Sequence, residues 1–245
     1  MEQTDEILLT KFLDCDANSS NVHKYLELGI HPVRYEIMKR KVLFLQYILH
    51  QEETSMVHRV FKATCDNPLK NDFVKTCAGY LETLGIHLNF EEIRKLSTFK
   101  FKKIVNQKTN EAAFKYLEEK KNEPGKQTKI KQLKYEKLEI QEYLLEGNIN
   151  TVLSKLIFKA RGRNLDIKGH KKWKYEDDIC VGCQSKQESE QELIDCPGLK
   201  SQNLESQEDI SYSVVFGNNL SEMFKLAQIM QSRLKLRKKI LDEPP

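Results

Sequence analysis

The stretch WKYEDDICVGC, Trp173 to Cys183, carries two metal chemistries in overlapping form. Tyr175-Glu176-Asp177-Asp178 spells Y-x-D-D, a pattern that holds Mg²⁺ when a tight turn between two apolar strands presents its carboxylates. The flanks here are HKKWK and ICVGC, and the basic upstream flank is not the buried strand such a turn requires. No strand-rich region upstream offers a partner Asp, so YEDD is read as a decoy. Cys180 and Cys183, with Cys196 after them, give C-x2-C-x12-C. Three thiolates at this spacing form most of a four-ligand zinc site. No His lies between Cys183 and Cys196. Glu192, separated from Cys196 by three residues, stands where the fourth ligand falls, and His170 replaces it if the loop at Gly169 folds back. The expected cofactor is one zinc ion, held less tightly than by a Cys3His set; three free thiols are the other reading.

A second informative stretch is FKARGRNLDIKGHKKWK, residues 158–174. Arg161, Arg163, Lys168, Lys171, Lys172 and Lys174 can pair with phosphates, and Trp173 can stack on an exposed base. A solvated loop with Trp173 in the core is the alternative. Cys15, Cys65 and Cys77 fall on apolar helix faces and read as core residues. His23, His31, His50, His58 and His87 adjoin no ligand cluster. No Ser-His-Asp arrangement, phosphate-binding glycine loop or paired-carboxylate site is present.

These residues must be positioned by helices. The 245 residues are 39% hydrophobic and 31% charged, with only ten Gly and six Pro. That composition favours a mainly α protein. Net charge is +4, unevenly spread. Residues 94–137 hold fourteen Lys or Arg against five Glu; residues 155–174 hold eight against one; residues 176–209 hold two against ten acids. A polyanion-binding surface beside an acidic segment is one reading, solvated helix faces the other. The start lacks the apolar core of a secretory signal, and VLFLQYIL is far shorter than a membrane span. The expectation is an intracellular protein, in nucleus or cytoplasm, with no membrane partner.

Periodicity predicts a short helix over 4–13 with Ile7, Leu8, Phe12 and Leu13 on or near one face. A helix ending at Gly29 follows, with Ile30 available for the apolar contact beside a glycine cap. Residues 33–51 read as a core helix, in which Met38, Val42, Leu45 and Leu49 form a stripe widened by Phe44, Tyr47 and Ile48. YLETLGIH repeats the device of YLELGIH, and Asn89 with Glu92 spells a capping box. A Lys-rich helix covers 98–121, and NEPGKQTK reads as a linker. YEKLEIQEYLL and INTVLSKLIFKARGRNL read as two further helices, and the last helix, 220–241, is capped by Asn219 with Glu222. The resulting division is a helical domain over 1–121, a linker over 122–129, a basic helical region over 130–175, a Cys knuckle over 176–200, a polar linker over 201–218 and a C-terminal helix over 219–245.

YLELGIHPVRYEIMKRKVLFLQYIL, KLEIQEYLLEGNI, FKARGRNLDIKGHKKWK and CVGC…ELIDCPGL occur in this order. The order resembles the C-terminal part of the reverse transcriptase polyprotein of non-LTR (LINE-type) retrotransposons, over essentially the whole chain. The resemblance implies a thumb-like helical bundle, then a helical basic linker, a small Cys-containing knuckle and a final amphipathic helix. It implies that the palm, with the family's own Y-x-D-D, lies outside this chain, which is then no enzyme by itself. Carried over, the family's Cys, Cys, His, Cys knuckle falls on Cys180, Cys183, Glu192 and Cys196, with Glu in place of His. The resemblance also implies contact with template RNA or target DNA. The expected function is a non-catalytic, nucleic-acid-binding remnant of a retroelement protein. A helical protein-interaction scaffold and a non-functional fragment are the alternatives.

Overall fold

The computed structural model describes residues 2–16, 19–66, 73–123, 130–145, 151–172, 174–200 and 210–242. Within them the chain is helical, as its composition predicts: α1 (Glu2–Phe12), α2 (Asn21–Leu28), α3 (Val33–Leu49), α4 (Met56–Asp66), α5 (Phe73–Thr83), α6 (Phe90–Lys95), α7 (Thr98–Asn122), α8 (Thr151–Arg161), α9 (Glu190–Asp195) and α10 (Leu220–Asp242). No strand occurs among the described residues; pairing is limited to isolated bridges at Leu28–Ile140 and Ile179–Gln187. No described helix is long and apolar enough to cross a membrane. The chain divides into two compact units. One comprises Met1–Asp5, Gly29–Asn122 and Tyr135–Glu139, the other Glu6–Leu28, Glu123–Lys134 and Ile140–Pro245.

In the first unit α3 is the central element, with α4, α5, α6 and α7 packed against it. Its buried side chains are Tyr35, Val42, Leu45, Gln46, Ile48 and Leu49. Phe44 and Tyr47, expected to widen that stripe, are exposed instead and stack on each other. Gln46 is buried at no loss of hydrogen bonding, because its Nε2 donates to the Leu96 carbonyl at 3.1 Å. In α7 every fourth residue is buried, from Phe101 through Val105, Thr109, Ala113 and Leu117 to Lys121. The lysines between them lie on the other faces. Two helix-end devices hold as read. Gly85 sits at φ +66°, the Ile86 amide donates to the Leu81 carbonyl at 2.8 Å, and both apolar side chains are buried. Asn89 and Glu92 form the reciprocal capping box, at 2.9 and 2.8 Å. Gly29 also takes a positive φ, of 62°, but Ile30 is exposed, so the expected apolar contact is not buried there.

The second unit is built on α8 and α10, which pack on each other, with α9 and the 3-10 turn Tyr212–Phe216 against them. YEKLEIQEYLL is not the helix its pattern predicts. It carries the bridge at Ile140 and a single 3-10 turn, Glu142–Leu144, that brings Tyr143 inward. Ile7, Leu8 and Phe12 of α1 are exposed, while Leu13 enters the core. Cys77 is buried and its thiol is pushed up to about 12 by burial, whereas Cys65, expected inside, is exposed.

A charged network lies within the apolar packing of this unit. Glu27 on α2 and Arg161 at the end of α8 are almost completely buried, and meet at 2.8 Å. The second carboxylate oxygen of Glu27 accepts from the Tyr143 hydroxyl at 2.5 Å, and Arg161 also donates to the Val215 carbonyl at 2.8 Å. His23, one turn before Glu27, is fully buried, stacks on Phe158 and has Nε2 3.4 Å from the Phe158 carbonyl. Burial holds its imidazole below the ordinary range against the pull of Glu27, while Arg161 and Lys24 add to the lowering.

Removing one partner of a buried ion pair strands the other. Arg161→Ala is therefore expected to destabilise the chain by about 3–5 kcal/mol, read from denaturant midpoints. The neutral His23 makes a pH term. The unfolded chain takes up a proton near the ordinary imidazole value of about 6.5, and the folded state resists it. The stability difference between wild type and His23→Gln is expected to shrink as pH falls below about 6.5, by up to about 1.4 kcal/mol per pH unit. A pH-independent difference would exclude a folded-state His23 held neutral.

Candidate metal centre

Cys180 opens a tight turn closed by the Ile179–Gln187 bridge, with the Cys180 amide donating to Lys186 O at 2.8 Å and the Gln184 amide to Cys180 O at 2.9 Å. The turn brings Cys183 back beside Cys180. Ser189 then starts α9 as its cap, accepting from the Glu192 amide at 3.1 Å. The cap points the first turn, and with it Glu192, at the cysteines. Cys196 ends α9, and the 3-10 turn Pro197–Leu199 follows.

The outcome is one cluster. Cys180 Sγ, Cys183 Sγ, Cys196 Sγ and a Glu192 carboxylate oxygen all lie within 4.8 Å of one another. Cys180 and Cys196 Sγ are 3.5 Å apart, and Cys183 Sγ is 3.3 Å from Glu192 Oε1. Two thiolates on a tetrahedral zinc, each at about 2.3 Å, stand about 3.8 Å apart, so this set fits a metal ion with small adjustment. Cys180 and Cys196 are fully buried and pack with Leu193, Ile194 and Leu199 in the unit's hydrophobic core.

Two of the cysteine turns share a local device. The Ser185 hydroxyl and the amides of Ser185 and Lys186 favour the Cys183 thiolate, and the amides of Leu199 and Gly198 favour the Cys196 thiolate. In both, the amides two and three residues on favour negative charge at the sulfur. The Ser185 hydroxyl, with those amides, lowers the Cys183 thiol from its ordinary value. Burial and the adjacent Cys180 thiol push Cys196 up to about 12. A divalent cation removes that obstacle, since it binds the thiolate and displaces the proton. The two turns approach so closely that a Cβ on Gly198 would lie 2.1 Å from the Gly182 carbonyl oxygen. One on Gly182 would lie 2.9 Å from Cys196 Sγ.

The surroundings carry compensating charge. Arg233 of α10 is buried, and burial lowers its guanidinium, while a Cys196 thiolate and the Asp195 carboxylate favour its cation. Lys186 Nζ is 3.8 Å from Glu192 Oε2. A second buried pair anchors the segment: Arg237 meets Glu188 through Nε at 2.8 Å and Nη2 at 2.9 Å. Glu188 Oε2 also accepts from the Lys168 amide at 2.6 Å. Sequence reading missed Arg233 and Arg237 as interior residues. Their signal was spacing: Met223, Leu226, Met230, Arg233 and Arg237 continue one buried stripe.

His170 is not a ligand. Its Nε2 is 2.9 Å from Glu190 Oε1, and its Nδ1 accepts from the Leu165 amide at 3.2 Å.

The basic loop is not the open cationic surface its composition suggests. Arg161 is interior, on Glu27. Arg163 lies 3.6 Å from Glu190, and Lys168 is buried with its Nζ 2.6 Å from Asp177. Lys171 reaches Asp16 at 3.2 Å, Lys172 reaches Asp178 at 3.8 Å and Lys174 reaches Asp166 at 3.0 Å. Of the six described, only Lys172 and Lys174 are exposed; Trp173 lies outside the described residues. The two aspartates of YEDD thus neutralise lysines of the same loop. Burial favours a protonated Asp166, but bonds from Lys174 and Tyr175 outweigh it and hold that carboxyl below its usual range.

Glu192→His is expected to raise zinc affinity by about tenfold, the scale on which changes around a zinc site act. Gly198→Ala is expected to lower it, although no ligand is altered. Competition against a chromophoric chelator measures both, and unchanged affinity in both variants would mean that these four residues do not hold the ion. Comparisons with protein-family models, with curated proteins and with solved structures find no match to this chain.

Proposed function

We propose that the chain is a non-catalytic nucleic-acid-binding protein, with a zinc ion held by Cys180, Cys183, Glu192 and Cys196 to fix the fold of its second unit. The observation that carries the binding reading is the start of α7. Phe99 is 78% exposed there, and Lys102 and Lys103 share its helix face, with Lys100 alongside. Among the described residues these three lysines have no carboxylate partner. An exposed aromatic among free ammonium groups suits a base stacked on the ring and phosphates on the lysines. The LINE-type resemblance is in keeping with this reading, as is an intracellular setting in nucleus or cytoplasm. Zinc would act structurally, because four protein ligands leave no open position for substrate.

A second reading, a helical protein-interaction domain, is favoured by α4. His58 and Phe61 face inward, while Met56, Val57 and Val60 are exposed together.

Fluorescence anisotropy of the purified chain with labelled structured RNA and duplex DNA separates the two. Affinity is expected to fall by orders of magnitude between about 50 and about 200 mM salt. The K100A/K102A/K103A variant is expected to bind more weakly at every salt concentration. Absence of binding at low salt would overturn the nucleic-acid reading and leave the α4 surface as the better account.

A further inference from the structure

Helices α8 and α10 leave a groove of about 870 Å³ between them. Its apolar lining is Val152 and Leu156 from α8 with Leu234 and Leu241 from α10. Its cations are regularly placed. Lys155 and Lys159 are one turn apart on α8, and Lys235 and Lys238 are neighbours on one face of α10.

Charge pairing within the groove is unequal. Asp14 is held by Lys159 at 2.6 Å, and Asp166 by Lys174 at 3.0 Å and by the Tyr175 hydroxyl at 3.0 Å. Arg237 is committed to Glu188. Lys155, Lys235 and Lys238 have no carboxylate within ion-pairing distance among the described residues, although Lys155 lies near enough to Asp14 to help lower its carboxyl; Asp242 is the other acid in the lining. Two ammonium groups with no carboxylate close by, and a third only partly answered by Asp14, surround one apolar floor, and a ligand with negative charges spread along its length meets all three together. A small anion meets one lysine at a time. A duplex keeps its bases stacked inside a rigid cylinder and offers nothing to the floor. A single strand offers phosphates to the lysines and sugar and base faces to Leu234, Leu241 and the half-buried Tyr175.

We propose that the α8–α10 groove is a binding channel for the backbone of single-stranded nucleic acid, with Lys155, Lys235 and Lys238 as its phosphate contacts. The class of ligand rests on the nucleic-acid reading above. The site itself is separate from the start of α7 and lies in the other unit.

The test compares full-length wild type with K155A/K235A/K238A, with K100A/K102A/K103A and with a control lacking three exposed lysines elsewhere, Lys62, Lys200 and Lys225. Each is first checked for native circular dichroism and bound zinc, then titrated with labelled oligo(U) over a salt series. Loss of three phosphate contacts is expected to lower the slope of log affinity against log salt by about 2 for the groove variant. The control is expected to keep the wild-type slope. A wild-type slope in the groove variant, with weakened binding in the α7 variant, overturns the groove and leaves the nucleic-acid reading standing. Equal loss in groove variant and control overturns the groove as a site, since bulk charge then explains the effect. No oligo(U) or duplex binding by wild type overturns both. Displacement of oligo(U) by polyglutamate at equal charge concentration, abolished in the groove variant, would reassign the groove to acidic protein surfaces.

Discussion

The buried contact between Glu27 and Arg161 constrains most of the second unit. Water cannot reach either charge, so each is tolerated only because the other is in place, with Tyr143 and the Val215 carbonyl completing the coordination. Four segments far apart in sequence meet at this one point: α2, the turn at Tyr143, the end of α8 and the 3-10 turn before α10. A slide of α2 or α8 by one residue would leave a full charge unanswered in a low-dielectric interior, and a slide of either turn would remove one of its hydrogen-bond partners. Apolar packing alone tolerates such slides far better, so the ion pair acts on register more than on net stability.

A second charged pair extends the same logic to the cysteine segment. Glu188 joins the loop after α8 to α10 through Arg237, and its backbone pairs with Asp178 and Gly169. A Cβ on Gly169 would lie 2.3 Å from the Glu188 carbonyl oxygen, so the loop can close there only on glycine. The four candidate ligands are therefore held from both sides: below by the packing of Leu193, Ile194 and Leu199, and laterally by α10. An ion bound by these residues would therefore couple its binding to the folding of this segment, since the cluster exists only where the core does.

Much of this was legible in residue order. The helix ends at Gly29 and Gly85, the capping box at Asn89 and the long lysine-rich helix follow from local rules, in which each residue acts on neighbours within a turn, and the clustering of Cys180, Cys183, Glu192 and Cys196 follows from their spacing. The errors have a common cause, which is that partners distant in sequence decide them. Arg161, Lys168 and Lys171 look like solvent-facing cations until Glu27, Asp177 and Asp16 are brought to them. Residues 135–145 have a helical pattern but pair with α2 instead, at Ile140 and Tyr143. Phe44 and Tyr47 lie one position outside the arc of α3 that its neighbours cover. The loop after α8 is the plainest lesson: a count of charges along the chain measures composition, whereas the field a ligand meets is set after neutralisation in space.

The 3.5 Å between the sulfurs of Cys180 and Cys196 also has a consequence for the redox life of the chain. A disulfide requires about 2.05 Å, so the two sulfurs would have to close by about 1.5 Å to bond. A cation bound here would take one lone pair from each sulfur and keep the two from bonding. Without one, a two-electron oxidant would join the thiols with release of two protons, and the candidate ligand set would stay closed until a reductant reopened it. If a metal is held here, its loss under oxidising conditions would close the site until the thiols are reduced again.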